Sequence, residues 1–159
     1  MEYIQLKKGT GLKRFGIKKE DGTDTGEYIE LDIEDINLPI KANECSLKHV
    51  ENYNNLKVKI KEANKLENKE AENEIISERQ KAILEAFKEF YAEEEKALDG
   101  FLGQGATRKL LGGRRPYLTM YDDINEYLAQ IVPTMEEAQK NLEEKIKAKY
   151  QTEKEDNIL

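Results

Sequence analysis

Hydrophobic and polar residues alternate along the first forty residues of the chain. A polar residue separates the two apolar residues in 4–6, and a short stretch with apolar residues lies near glycines at 12–17. In 29–33, isoleucine and leucine alternate with acidic residues. This period of two is typical of strands with one face in water. Between the last two stretches, 20–26 contains an Asp-Gly step and a second glycine, which suit a hairpin turn. The pattern predicts a small antiparallel β unit over 1–40.

The central part of the chain predicts amphipathic helices over 41–99. From Glu44 to Asp99 there is neither glycine nor proline, and apolar residues recur three or four positions apart. That spacing gives a helix one apolar stripe, of the kind that forms coiled-coil contacts. The polar segment from Glu67 to Asn73 fits either a turn between two helices or the solvated middle of one long helix, and both remain open.

Glycine changes the pattern at the end of this region. Gly100 is expected to end the helix, and 100–116 is then a glycine-rich, basic loop with at most one short helix. Helical spacing resumes in 117–150, where Pro133 is expected to open a last helix, and 151–159 forms a charged tail. The predicted fold is mainly α, with a small N-terminal antiparallel β unit, elongated amphipathic helices, a glycine-rich loop and C-terminal helices in one domain.

The composition suggests that part of the apolar surface is buried against other chains. Of 159 residues, 38% are hydrophobic and 37% are charged, against typical values of about 45–50% and about 25%. A core this lean favours self-association. The net charge of −7 opposes general attraction to nucleic-acid phosphates. No apolar run is long enough for a membrane span, and the single cysteine, Cys45, is consistent with a reducing compartment.

The glycine-rich loop does not match known phosphate-binding loops. A Walker loop requires a lysine and a hydroxyl residue directly after its last glycine, whereas Gly105 is followed by Ala106 and Thr107. A dinucleotide-binding loop would need glycine at Arg108. Nucleotide binding is therefore disfavoured.

Two other patterns have simple structural explanations. Residues 21–32 weakly resemble a calcium loop, but threonines replace two acidic ligands, and hairpin chemistry accounts for the segment. Cys45 and His49 are four residues apart, but no further cysteine or histidine completes a metal site. We interpret Cys45 as a small buried residue and His49 as a surface residue. The acidic residues alternate with lysines and arginines as solvated faces do, so no enzymatic activity, cofactor or metal is expected.

Four cations without an acidic neighbour make the loop locally basic: Arg108, Lys109, Arg114 and Arg115. They could pair with the chain's own acidic residues at 93–95 or bind an acidic partner, and the sequence favours these two hypotheses equally. Binding of nucleic acid is the weaker third hypothesis, because the net charge opposes it.

The loop and the residues after it resemble a known family. The segment Gly-Phe-Leu-Gly-Gln-Gly-Ala-Thr-Arg-Lys-Leu-Leu-Gly-Gly-Arg at 100–114, followed by Tyr-Leu-Thr-Met-Tyr-Asp-Asp-Ile at 117–124, is similar to the tail assembly chaperones of phages that infect Gram-positive bacteria. In that family a Phe-Gly-x-Gly-Thr/Ala-x-x-Lys-Leu/Ile-Phe-Gly-Gly loop precedes a helix. The chain departs from this pattern at Leu102, where phenylalanine is common, and in its long helical middle.

The resemblance implies a non-enzymatic protein of the host cytoplasm that is not retained in the virion. Such chaperones bind the tape measure protein, often as oligomers, and some carry a frameshifted extension that binds the tail tube protein. The alternatives are a structural adaptor or connector of the phage particle and, less favoured, a small nucleic-acid-binding effector. The residues predicted to contact partners are Phe87, Phe90, Tyr91, Phe101, Leu102, Arg108, Leu110, Leu111, Arg114, Arg115 and Tyr117.

Overall fold

The computed structural model describes residues 1–6, 11–115, 117 and 119–158, without the side chains of Tyr121 and 152–158. Its elements are β1 (Leu12–Lys18), β2 (Asp24–Asp32), α1 (Asn37–Ala63), α2 (Glu78–Leu102), α3 (Ala106–Leu111) and α4 (Met120–Ile158). The predicted fold class, mainly helical with a small antiparallel sheet near the start, is confirmed.

Contacts within the chain divide it into two compact units, whereas the sequence suggested one domain. The strand unit comprises Met1–Leu38 and Lys109–Leu159, and the hairpin unit comprises Pro39–Arg108. Each unit is described separately below.

The strand unit begins with a β-hairpin. β1 and β2 pair antiparallel, with Phe15 opposite Ile29 and Gly16 opposite Tyr28. The turn contains Gly22 at φ 84°, a backbone conformation that glycine adopts without steric cost. The Asp21 carboxylate accepts a hydrogen bond from the Thr23 amide at 2.9 Å. The hairpin prediction is confirmed, and turn chemistry occupies the Asp21 side chain.

The β unit is smaller than the sequence indicated. Residues 1–6 form no strand, and Ile4 and Leu6 are 93% and 89% exposed. The prediction of a strand at 4–6 is therefore wrong for this structure, in which no neighbouring strand pairs with those residues; residues 7–10 lie outside the described part. β2 ends at Asp32, and α1 already begins at Asn37. Pro39 fits the first helical turn, where its missing N–H would have no helical partner.

The charged C-terminal region belongs to one long helix. α4 runs through Pro133 to Ile158, so the predicted start of a new helix at Pro133 is wrong, and the charged tail continues the helix through its described residues. Leu159 lies outside them. Pro133 is exposed, and on that side water can bond the carbonyl that the proline leaves unpaired. Glutamate, lysine and alanine, which favour helix, sustain the rest.

One face of α4 supplies much of the apolar core in this unit. Met120, Ile124, Ile131 and Met135 recur every four or seven residues and are at most 6% exposed. On the sheet, Ile29 and Leu31 are 3% and 5% exposed and alternate with exposed residues. The period-two and helical patterns therefore identified the buried faces of both elements.

The hairpin unit contains two helices joined by a turn at 64–77. The alternative of one long helix through Glu67–Asn73 is thereby excluded. A capping box begins α2: the Ser77 hydroxyl accepts a hydrogen bond from the Gln80 amide at 3.1 Å, and the Gln80 side chain accepts one from the Ser77 amide at 2.9 Å. Ser77 also donates to the Asn68 side chain at 2.9 Å. These bonds fix the start of α2 against the turn.

The end of α2 differs from the sequence prediction. Gly100 lies within the helix, which continues to Leu102 and ends at Gly103, whose φ is 107°. Phe101 and Leu102 are 7% and 2% exposed. Burial of two such side chains contributes about 1.5–3 kcal/mol each, which exceeds the cost of about 1 kcal/mol for an internal glycine. The single short helix expected in the loop is present as α3.

Candidate functional site

Three predicted contact residues form a half-buried aromatic cluster on α2. The ring centroids of Phe87 and Tyr91 are 6.1 Å apart, and those of Phe90 and Tyr91 are 5.8 Å apart. From α1, His49 lies 6.5 Å from Phe90 and stacks on Tyr53 at 6.4 Å. The structure therefore brings these α2 residues together and adds His49 and Tyr53, which the sequence had not assigned to a site.

A buried carboxylate lies beside this cluster. The Glu94 side chain is 0% exposed, although the sequence suggested a solvated acidic face. His49 Nδ1 lies 2.9 Å from Glu94 Oε2, and Asn52 Nδ2 donates to Glu94 Oε1 at 3.0 Å. His49 is correspondingly only partly exposed, not the surface residue predicted. Cys45, His49 and Asn52 are three or four residues apart and lie on one face of α1. The polar residues His49 and Asn52 on this face could have indicated a polar contact with α2.

Cys45 is buried, as predicted. It is 8% exposed, and burial, with a smaller contribution from the negative charge of Glu94, raises the pKa of the thiol from 9.0 to about 11. At neutral pH the group is protonated, and the thiol form is a poor nucleophile. This position is therefore suited to packing.

Asp99 anchors the glycine-rich loop. Its Oδ2 accepts a hydrogen bond from the Gly105 amide at 3.1 Å, and its Oδ1 accepts from the Thr107 amide at 2.9 Å and the Thr107 hydroxyl at 2.8 Å. Thr107 is 1% exposed. The carboxylate caps the start of α3 from the last turns of α2. Asp99 was not predicted as a site residue; its signal in the sequence was an acidic residue just before a glycine-rich loop that contains a threonine.

Three of the predicted contact residues belong to the core. Phe101, Leu102 and Leu111 are 7%, 2% and 5% exposed, so their side chains do not form an exposed partner surface. Leu110 is half-buried. These residues were predicted as partner contacts because the segment was expected to be a loop. Helical geometry at the ends of α2 and α3 instead turns their side chains inward. Pro116, the predicted end of the loop, lies outside the described residues.

Two loop cations pair with acidic residues of their own unit. In the hairpin unit, Arg108 Nε donates to Glu95 Oε1 at 2.9 Å, as the self-pairing hypothesis expected. In the strand unit, Lys109 Nζ donates to the Tyr28 carbonyl at 3.2 Å and lies 3.8 Å from Glu27 Oε2. Both cations are at least partly exposed, so these ion pairs contribute little to stability.

The other two cations, Arg114 and Arg115, are exposed. Arg114 Nε donates to the Leu111 carbonyl at 3.1 Å, and its guanidinium lies 4.9 Å from the Tyr117 ring centroid. Arg115 is exposed and forms no ion pair with a described residue. Tyr117 donates to the Asp123 carboxylate, which raises the pKa of Tyr117 to about 12.

An unpredicted apolar surface lies on α1. Ile40, Leu47, Val50 and Val58 are 54%, 63%, 53% and 59% exposed. At 100° per residue these four fall within an arc of roughly 80° on the helix surface; we call them the α1 stripe. The buried residues Cys45, Asn52 and Leu56 project from the opposite side. The spacing that predicts this helix belongs to the buried side alone, because one apolar face suffices to explain a helix in a hairpin.

A cleft of about 500 Å³ lies within the strand unit, next to β1. Four consecutive residues of β1, Phe15 to Lys18, line it together with Ile29, Leu110, Tyr127, Gln130 and Ile131. A second cavity of about 390 Å³ shares Ile17, Lys18, Leu110 and Tyr127 with the first and adds the charged residues Lys19, Glu20, Asp21, Lys109 and Arg114. The cleft therefore has mixed apolar and polar walls and an end where basic residues outnumber acidic ones.

Among the side chains that the structure describes, no three His, Cys, Asp or Glu residues are placed so that they could hold a metal ion. No helix in the described ranges is long and apolar enough to cross a membrane.

No protein-family model, curated protein or solved structure matches the chain. The features that bear on function are therefore the sequence motif at 100–124 and the surfaces of the two units.

Proposed function

We propose that the chain is a phage tail assembly chaperone that binds the tape measure protein in the host cytoplasm and keeps it soluble. The sequence motif at 100–124 suggests the family. The α1 stripe is the observation that carries the proposal: a helix whose opposite face is already buried presents a second apolar face to solvent. Exposed apolar surface of this kind is typical of sites that bind other proteins.

The stripe suits an elongated helical client. Its residues are spaced by seven, three and eight positions, so they form one ridge that can pack into the groove of another helix. Exposed Glu44 and Glu51 flank one side of the ridge, exposed Lys57 flanks the other, and exposed Lys61 lies within the same arc. Charges at the rim of an apolar contact favour correct partners and add little affinity. The net charge of −7 would keep the complex soluble.

The other predicted contacts divide between the two units. In the hairpin unit they are the aromatic cluster on α2 and Arg108, and in the strand unit they are Leu110, Arg114, Arg115 and Tyr117. Aromatic and arginine side chains are the residue types that most often dominate binding energy. A tail tube protein is a second possible partner of these surfaces, in keeping with the family resemblance.

Co-expression with the tape measure protein tests the proposal. We expect the tape measure protein to be soluble and to co-purify with the chain. The double variant Leu47→Glu/Val58→Glu should reduce its soluble fraction at least tenfold, because two charges would be buried in an apolar contact. Ile75→Glu is the matched control, since Ile75 is 93% exposed and lies outside the stripe.

Two results would contradict the proposal. The tape measure protein could be equally soluble without the chain, or the double variant could solubilise it as well as the unchanged chain does. Detection of the chain in purified virions at stoichiometric amounts would instead indicate a structural adaptor.

A further inference from the structure

Neither edge of the small sheet pairs with a further strand among the described residues, and the edge of β1 borders a cleft. The sheet contains β1 and β2 alone, and in the described ranges no other strand pairs with the free edge of β1. Backbone N–H and C=O groups along such an edge can pair with another extended segment. The cleft lies on this side, because four residues of β1 but a single residue of β2 line it.

The cleft is shaped to receive alternate side chains of an added strand. Phe15 and Ile17 lie on the same face of β1, and Phe15 pairs with Ile29, which is 3% exposed. This face meets Leu110, Tyr127 and Ile131 across the cleft. A third strand beside β1 would therefore direct every second side chain towards a cleft of about 500 Å³.

The chain itself carries a segment with the required pattern. Met1–Leu6 forms no strand, and its apolar residues Tyr3, Ile4 and Leu6 are 86%, 93% and 89% exposed. Ile4 and Leu6 alternate with polar residues, as expected of a strand with one buried face. The same chain thus contains a segment with the pattern of a strand and a sheet edge without a partner strand in the described residues, and the two are not paired with each other.

We propose that a second copy of this chain donates Met1–Leu6 as an antiparallel third strand along the free edge of β1. Pairing Ile4 with Phe15 places Tyr3 opposite Gly16 and Glu2 opposite Ile17. Ile4 then enters the cleft, and Leu6 lies on the same face opposite Lys13. Exchange between two copies is reciprocal, so it closes as a two-fold dimer in which both exposed segments and the β1 edges of both copies are covered.

Charge and shape support this register. Glu2 is the single charged side chain in Met1–Leu6. Antiparallel pairing directs it towards the end of the cleft where four basic residues, Lys18, Lys19, Lys109 and Arg114, outnumber two acidic ones, Glu20 and Asp21. The opposite, parallel orientation would direct Glu2 away from these cations. A Cβ atom at Gly16 would meet nothing within 4 Å, so the space opposite Tyr3 is open.

Disulfide trapping tests the register directly. In a Cys45→Ala background, one chain carries Tyr3→Cys and a second chain, distinguishable by mass, carries Gly16→Cys. Directly opposite residues on paired strands are close enough for a disulfide. After mild oxidation, we expect the mixed-mass disulfide at least tenfold above a control pair of Tyr3→Cys and Ile75→Cys.

A chain that carries both cysteines distinguishes the two possible donors. If it closes an intramolecular disulfide while the mixture yields no more cross-link than the control pair, the segment folds onto its own β1 and the proposal is overturned. Far-ultraviolet circular dichroism of each variant verifies that the fold is retained.

Sedimentation velocity provides a second test that needs no cross-link. The Ile4→Glu variant should weaken self-association at least tenfold, since it places a charge against the apolar side chain of Phe15. Ile146→Glu, at a 58% exposed position on α4, should leave self-association unchanged. A monomeric unchanged chain at tens of micromolar, or equal association of the Ile4→Glu variant, would overturn the proposal. The inference does not depend on the client, because these measurements contain no tape measure protein.

Discussion

The Nδ1 atom of His49 on α1 lies 2.9 Å from the Oε2 atom of Glu94 on α2, and the Glu94 side chain is fully buried. A carboxylate in such a position must be hydrogen-bonded, because an isolated buried charge is very costly. Asn52 satisfies the other oxygen at 3.0 Å. The two helices of the hairpin unit are therefore joined by a specific polar contact in addition to apolar packing.

We predict that His49→Ala lowers the free energy of unfolding by about 2–3 kcal/mol, because hydrogen bonds to charged groups are worth about 1.5–3 kcal/mol. Urea denaturation measures this loss. Lys59→Ala is the control: it removes the ion pair between Lys59 and Glu89, whose side chains are 45% and 60% exposed, and it should cost less than about 1 kcal/mol. Equal losses in the two variants would show that the buried contact has no special role.

The raised pKa of Cys45 predicts a loss of stability in alkali. The unfolded thiol ionises near pH 9.0 and the folded thiol near pH 11, so the folded state binds more protons between these values. Stability from this group is fully present below about pH 9 and declines as the pH rises to about 11. The difference in unfolding free energy between the unchanged chain and Cys45→Ala should fall by about 1–2 kcal/mol over that range. A constant difference would contradict the assignment.

Asp99 should control the stability of the glycine-rich loop. Asp99→Ala removes the bonds to Gly105 and Thr107 and should cost about 2–4 kcal/mol, since it leaves buried donors without partners. Asp99→Asn should cost less, because its carbonyl can still accept from Thr107 while its amide cannot accept from Gly105. Chemical denaturation and limited proteolysis of the loop measure the order. Similar behaviour of the alanine and asparagine variants would argue against the anchor.

Pro133 should weaken the helix that contains it. Pro133→Ala restores a backbone N–H and relieves the clash of the ring with the preceding turn, so we expect a gain of about 1–3 kcal/mol in unfolding free energy. Helicity measured by circular dichroism should not fall. The neighbouring substitution Val132→Ala, at a 38% exposed position, is the control and should give no such gain. A destabilised Pro133→Ala protein would indicate that the proline has a packing role.

Local patterns predicted the secondary structure well where the residues of an element determine its conformation by themselves. The hairpin followed from alternation and from the Asp-Gly step at the turn, and the core face of α4 followed from the spacing of Met120, Ile124 and Ile131. These features depend on periods of two and 3.6 residues, which the chain displays without reference to the rest of the fold.

The predictions failed where tertiary packing overrides local preference. Gly100 would end an isolated helix, but the burial of Phe101 and Leu102 extends α2 past it. In the sequence, Glu94 is indistinguishable from its solvated acidic neighbours. In the fold it is buried, because His49 and Asn52 of α1 contact its side chain. The α1 stripe was missed for the opposite reason, because a second apolar face is recognisable only after the first is seen to be buried.

The 39 residues of α4 would extend about 58 Å at 1.5 Å per residue. Beyond Leu142, every residue up to Gln151 is exposed, including Ile146 and Tyr150 at 58% and 64%. A helix without tertiary contacts is only marginally stable in water. Amide hydrogens in these last turns should therefore exchange with deuterium orders of magnitude faster than those around Ile124.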